Sequence, residues 1–363
     1  MAKKVKDIIT ISLLALISFG FLLASLIIPD RDYSMTERRV LAGQPELSFS
    51  SLSSGKFMTE FDNYTLDQFP LRDTMRSIKA YTSRHILCNK DNNGLFVYDG
   101  YISGTDFELN KERVPKNTDK LAEVYNNYIK NTDCTTYLTI VPDKNYYLAP
   151  IAKYPHLDYS ALESLVKSEL DFAEYIDIFD ELGLSCYYKT DQHWKQEEIT
   201  DVADTLLSAM GADTTSDYEK HCLDIPFYGA YYYQALLKLP SDTIYYLTNE
   251  TIDNCIITSY NTGTAASSSM YDMEKAYGND PYEMFLSGSD ALLTIENPNS
   301  GNDRELIIFR DSFASSLAPL LVCGYSKITL VDLRYIQSHM LREFINFNNQ
   351  DVLFLYSTLI LNN

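Results

Sequence analysis

Metal-binding and redox signatures are missing from this chain of 363 residues. Its six cysteines, Cys88, Cys134, Cys186, Cys222, Cys255 and Cys323, include no C-x-x-C pair, which argues against a zinc ribbon or a thioredoxin-type site. Its five histidines include no H-E-x-x-H, and no G-N-H loop of the metallophosphoesterase kind accompanies them. No metal or cofactor is therefore expected. Positive charge is also scarce, with 30 Lys and Arg against 50 Asp and Glu and a net charge of −20. Such a surface repels phosphate backbones, so nucleic acid is excluded as a partner. Tryptophan occurs once, at Trp194, and long hydrophobic runs also number one.

That single run extends from Ile8 to Ile28 without a charge. As a helix it spans the ~30 Å of a hydrocarbon layer, which reads as an uncleaved anchor rather than the shorter apolar stretch of a signal peptide. Lys3, Lys4 and Lys6 precede it and should stay cytoplasmic, which sends everything after Pro29 outside. The expected localisation is the cell membrane, single-pass, with the main domain extracytoplasmic.

Residues 1–28 form the cytoplasmic tip and the anchor. Residues 29–81 are polar and turn-rich before "FDNYTLDQFPLRDTMRSIKAY" takes up helical spacing, and they read as a stalk and entry helix. Residues 82–363 alternate between strand and helix signals. Thr136–Val141 is a β-branched run ended by Pro142, and Leu306–Phe309, Ile328–Val331 and Val352–Tyr356 are short buried-type strands. Helices are expected at Ala314–Cys323 and Ile336–Phe347, and Ile199, Val202, Ala203, Leu206, Leu207 and Met210 share one helical face. This alternation predicts an α/β fold, a parallel sheet flanked by helices. Residues 211–300 are less regular and are expected to stand beside the sheet as an insertion or lobe.

Reactive groups in open α/β sheets gather where strands end and helices begin. Two such junctions carry chemistry here: Asp191-Gln192-His193-Trp194, expected between a strand and the Ile199 helix, and Asp311-Ser312-Phe313, after the strand Leu306–Phe309. A serine in such a turn can expose its hydroxyl as a nucleophile while its N–H faces an oxyanion, and a histidine held by a carboxylate is the base it needs. Taken alone, Asp191 with His193 is a common surface pair, and Ser312 is an ordinary helix N-cap.

Together, "TDQHW", "IIFRDSFASSLAPLL" and "ITLVDLRYI" resemble the DHHW family of bacterial extracytoplasmic proteins, related to the alginate O-acetyltransferases and SGNH-hydrolase-like in fold. "DRDYSMTERRVLAGQP", "DQFPLRD", "TIVPDKNYY" and "DVLFLYS" extend the resemblance over nearly all of the chain after Pro29. It implies a triad of Ser312, His193 and Asp191. Two positions depart from the pattern. Gln192 replaces the first histidine of the family motif, and Arg310 stands where the G-D-S block has glycine, either as a substrate clamp or as an obstruction.

Further candidates for substrate contact are Lys144 and Asn145, after the strand ending in Val141, and Tyr231 and Tyr232 in the cluster "YGAYYYQ". Trp194, beside the proposed base, is expected to buttress His193 more than to meet substrate. The function implied is acyl transfer, acetyl in the first instance, or ester hydrolysis on a cell-surface polysaccharide. A membrane protein that delivers the acyl group stands among the partners considered. The competing reading is a non-catalytic glycan-binding or scaffold role in polysaccharide export with a degenerate triad, and Arg310 is the residue that favours it.

Overall fold

The computed structural model describes every residue except Met1, Met35, Arg38, Asp106 and Ser216. The chain divides into two units, one of residues 1–93 with 233–238 and one of residues 94–232 with 239–363.

The first unit contains α1 (Ala2–Ile27), α2 (Lys56–Asp67) and α3 (Arg72–Tyr81). Within α1, Lys4–Ile27 is the one helix among the described residues long and apolar enough to cross a membrane. The polar segment that follows is held by ion pairs. Glu37 meets Arg39, Arg72 and Arg76 at 2.6, 2.8 and 3.1 Å, and Arg39 forks onto Asp67. That fork holds the Asp67 carboxyl down at about 2.

The second unit is built on an eight-stranded sheet. Its strands are β1 (Thr135–Val141), β2 (Glu174–Tyr175), β3 (Ile256–Ser259), β4 (Ala266–Ser268), β5 (Leu292–Glu296), β6 (Glu305–Arg310), β7 (Lys327–Val331) and β8 (Asp351–Ser357). They lie in the order β4-β3-β5-β7-β6-β8-β1-β2. β7, β6, β8, β1 and β2 run parallel, whereas β5, β3 and β4 add antiparallel pairs on one side.

Burial on both faces explains the unbroken apolar runs of the central strands. Leu306, Ile308, Leu353 and Leu355 face one cluster, covered by α7 (Thr200–Ala209) and α8 (Ala314–Leu321). Ile307, Phe309, Val352 and Phe354 face the other, packed against residues of α4 (Arg113–Val124) and α6 (Tyr159–Glu169). Each such buried side chain contributes ~1.5–3 kcal/mol.

Three features differ from expectation. Residues 211–300 supply β3, β4 and β5 to the sheet itself; β3 and β4 are short and carry half-exposed polar residues, so neither an apolar run nor strict alternation marks them. In place of a helix over 336–347 there is only a short 3-10 turn, Ser338–Glu343, with Leu341 as its one buried residue. No strand of the sheet leads directly into Asp191; the nearest one before it, β2, ends at Tyr175. The motif lies in a loop whose ends, Tyr187 and Trp194, form a single antiparallel bridge, and a 3-10 turn, Gln196–Glu198, separates it from α7.

Candidate active site

The parallel strands β6, β8 and β1 end at one edge of the sheet, and three chain segments meet there. The first is the turn after β6. Asp311 shapes it: one carboxylate oxygen accepts from the Phe313 N–H at 3.0 Å, an Asx turn, and the other accepts from the Ser357 N–H at 2.7 Å, which ties the turn to the end of β8. Ser312 sits at the apex, half-buried, and its hydroxyl makes no capping bond to α8. The Ser312 N–H donates to no acceptor among the described residues.

The second segment is the loop 188–194. It is fixed by polar groups from distant parts of the chain. Asp242 accepts from the Lys189 N–H at 2.9 Å and from the Thr190 N–H and hydroxyl at 2.7 and 2.6 Å. The Thr190 hydroxyl accepts from the Gly229 N–H at 3.0 Å. Glycine is required at 229, since a Cβ there would lie 2.2 Å from the Asp191 Cβ. From the third segment, just past β1, the Lys144 Nζ reaches the carbonyl oxygens of Tyr188 at 2.7 Å, Asp191 at 2.5 Å and Lys189 at 3.3 Å.

Within this frame the Asp191 carboxylate is buried and accepts from the His193 N–H at 3.0 Å and ring Nδ1 at 2.5 Å on one oxygen, and from the Ala230 N–H at 2.7 Å on the other. The imidazole stacks on Tyr282, with centroids 4.0 Å apart and planes 8° from parallel, and lies 5.1 Å from the Phe313 ring. Its Nε2 is 2.7 Å from the Ser312 hydroxyl. A carboxylate only accepts, so Nδ1 carries the proton and Nε2 is left to accept from the serine. Serine, imidazole and carboxylate thus form one continuous hydrogen-bonded chain, able to draw a proton off Ser312 and to stabilise the resulting imidazolium.

The remaining candidates occupy supporting places. Trp194 is fully buried, and its Nε1–H donates to the Phe313 carbonyl at 3.1 Å and the Ser316 hydroxyl at 2.9 Å, so it clamps the histidine loop onto the start of α8. The Tyr282 hydroxyl lies 2.9 Å from the same Ser316 hydroxyl. Arg310 is 0% exposed. Its guanidinium turns inward to the Ser315 hydroxyl and the Gly288 and Asp290 carbonyls, so it neither reaches solvent as a clamp nor stands in the approach to Ser312. Asn145 is buried at the start of α5 (Asn145–Ala152), its side-chain oxygen without a hydrogen-bond partner among the described residues. Tyr231 is buried with its ring centroid 5.2 Å from the Lys144 Nζ, and Tyr232 donates its N–H to the Thr190 carbonyl. Gly229, Asp242 and Tyr282 carry no motif that would single them out. The one available signal was the glycine inside "YGAYYYQ", a cluster whose backbone, through Ala230, reaches Asp191.

No protein-family model matches the chain, and no curated protein matches it in sequence. Solved structures do. A DHHW family protein from Eubacterium siraeum superposes with a TM-score of 0.60 at 20% identity, covering 75% of this chain and 93% of that one. This chain has a DHHW-like fold. Bacillus cereus PatB1 matches equally well, with a TM-score of 0.60 at 18% identity over 75% of this chain and 98% of its own. A second PatB1 structure, carrying a sulfonyl adduct, gives 0.59 at 17% identity over 74% and 95% of the two chains. The DHHW-like fold agrees with the α/β architecture and with the family resemblance of "TDQHW" and "IIFRDSF".

Proposed function

We propose that the protein is a membrane-anchored, extracytoplasmic acyltransferase or esterase, acetyl being its acyl group and a cell-surface polysaccharide its substrate. The observation that carries this reading is the unbroken chain from the Ser312 hydroxyl through His193 to Asp191. Ser312 Oγ attacks the carbonyl carbon of an acyl ester as its proton passes to His193 Nε2. The oxyanion is met by the free Ser312 N–H. When the tetrahedral intermediate collapses, the bond to the donor alcohol breaks and the alcohol leaves with the histidine's proton. A sugar hydroxyl, or water, then attacks the acyl-serine by the same route in reverse, and Ser312 regains its proton. Asp191 stays ionised throughout and holds the ring in its working tautomer. The inward turn of Arg310 supports this reading over that of a degenerate site.

The lysines at the start of α1, ahead of its apolar run, support a single-pass topology with residues after Pro29 outside. The test uses the full chain and a sulfonyl fluoride or fluorophosphonate label, the fold's likeness to an adduct-bearing PatB1 being the reason for that choice. Ser312→Ala should abolish labelling, and Asp191→Asn should lower turnover by ~10⁴ with the fold intact. With an acyl-ester donor and a panel of glycans, label transferred to sugar faster than it is released as acid identifies a transferase, because a bound hydroxyl outcompetes water by its placement. Release as acid alone identifies an esterase. Label that persists in Ser312→Ala, or no label at all, ends the enzymatic reading and leaves a glycan-binding or scaffold role.

A further inference from the structure

Lys144 is 1% exposed and pairs with no carboxylate within ion-pair distance among the described residues. An ammonium has three protons and no lone pair, and here three carbonyl oxygens, those of Tyr188, Lys189 and Asp191, stand around it. Those carbonyls belong to the loop that bends to present Asp191 and His193, and all three lie within hydrogen-bond distance of the one Nζ. A neutral amine supplies only two protons and puts a lone pair against the third oxygen. The ring of Tyr231 adds a cation-binding face at 5.2 Å.

We infer that Lys144 is a positioning residue whose protonated side chain gathers the 188–191 carbonyls and so sets the Asp191–His193 pair opposite Ser312, making the competence of the site depend on that one proton. This rests on the reading of Ser312, His193 and Asp191 as a working triad. The charged groups that face Lys144 are Asp191, Asp242 and Asp143, which favour its cation, and Lys195, which opposes it. Burial is the larger influence and pushes the ammonium down to about 7. The sign follows: the cation, and with it the loop, is secure below that range and is lost as pH rises through it. The pH profile of reactivity therefore has an alkaline limb, and that limb belongs to a residue that never touches substrate.

The experiment measures, on the full-length protein, the pH dependence of Ser312 labelling by a sulfonyl fluoride, together with the downfield NMR signal of the His193 Nδ1–H bonded to Asp191. Wild type, Lys144→Arg and Lys144→Met are compared. Arginine keeps its charge at every accessible pH, so Lys144→Arg should carry the alkaline limb upward by about one pH unit or more. Lys144→Met should lose about 10²-fold in labelling rate at all pH values and lose the downfield signal. An alkaline limb unmoved in Lys144→Arg, or a Lys144→Met protein with wild-type rate and signal, overturns the inference. Where a variant fails to melt cooperatively, wild type alone decides: its downfield signal must fade over the same pH range as its labelling rate, and a signal that persists through the alkaline limb overturns the inference. Absence of Ser312-dependent labelling in wild type counts against the triad reading, while the response of the His193 signal to Lys144 still tests the positioning role.

Discussion

The two arms of the site are built differently. The Ser312 arm is local: a strand, an Asx turn and a helix follow one another over residues 305–321, and the long-range bond to its Asp311 carboxylate comes from β8, a neighbouring strand. The Asp191–His193 arm is a loop outside the sheet, and its shape is imposed from residues 144, 229, 230, 242 and 282. An arm made from the sheet shares the stability of the sheet. An arm held by borrowed contacts can loosen while the rest stays folded. Damage to the first should therefore appear in stability, and damage to the second in turnover.

The sharpest way to break this contrast is Gly229→Ala, because the added methyl overlaps Asp191 and the carboxylate must move. Displacement of that order costs ~10²-fold in turnover, and the melting temperature should fall much less in proportion. Asp242→Asn comes next: the amide oxygen can serve only part of the three donors Asp242 now satisfies, and turnover should fall roughly tenfold with the acyl-enzyme still forming. On the other arm, Asp311→Asn should lose about 2 kcal/mol of unfolding free energy, since an amide N–H would face either Phe313 or Ser357. Were Asp311→Asn to spare stability and Asp242→Asn to unfold the domain, the division between the arms would be wrong.

The smallest effect concerns Glu197, in the turn after the histidine loop. Burial pushes its carboxyl up to about 7, and one of its oxygens is buried without a hydrogen-bond partner among the described residues. A carboxyl raised in the folded state binds its proton more tightly there than in the unfolded chain. The fold is therefore favoured below about 4.5 and loses that advantage as pH rises toward 7. Glu197→Gln should raise stability by about 1–2 kcal/mol at pH 8, after discounting for the part of the side chain that stays wet, and change nothing at pH 4. Denaturant titrations at the two pH values measure it.

The same contrast explains what could be read from the sequence. The Ser312 junction was legible because each of its signals lies within a few residues of the next: "LIIF", then an Asp-Ser turn, then a helix. Asp191 and His193 were legible as a pair, but not the geometry that makes them useful, since Lys144, Gly229, Asp242 and Tyr282 meet them only through the fold. Lys144 reads as a substrate contact because it follows a strand end, and Tyr231 because it sits in a tyrosine cluster; the fold buries both, one against the other beside the loop. The antiparallel side of the sheet escaped for a different reason. β4 pairs only with β3, whereas β3 with β5 and β5 with β7 meet across long connections, and strands of three to five residues with exposed positions carry too little periodicity to announce themselves.

The bond from the Ser357 N–H to Asp311 also sets an order of events. β6 lies between β7 and β8, both of which come later in the chain, so the serine turn has no finished bed until the last strand of the sheet has been made and inserted. A chain emerging in order would carry Asp191, His193 and Ser312 for some time with nothing to hold the serine in place. Stop codons or proteolysis before residue 351 would yield a protein that has all three residues and no reactivity. Under the proposed function, Ser312 would become reactive only once β8 is in place, which would keep it silent during synthesis.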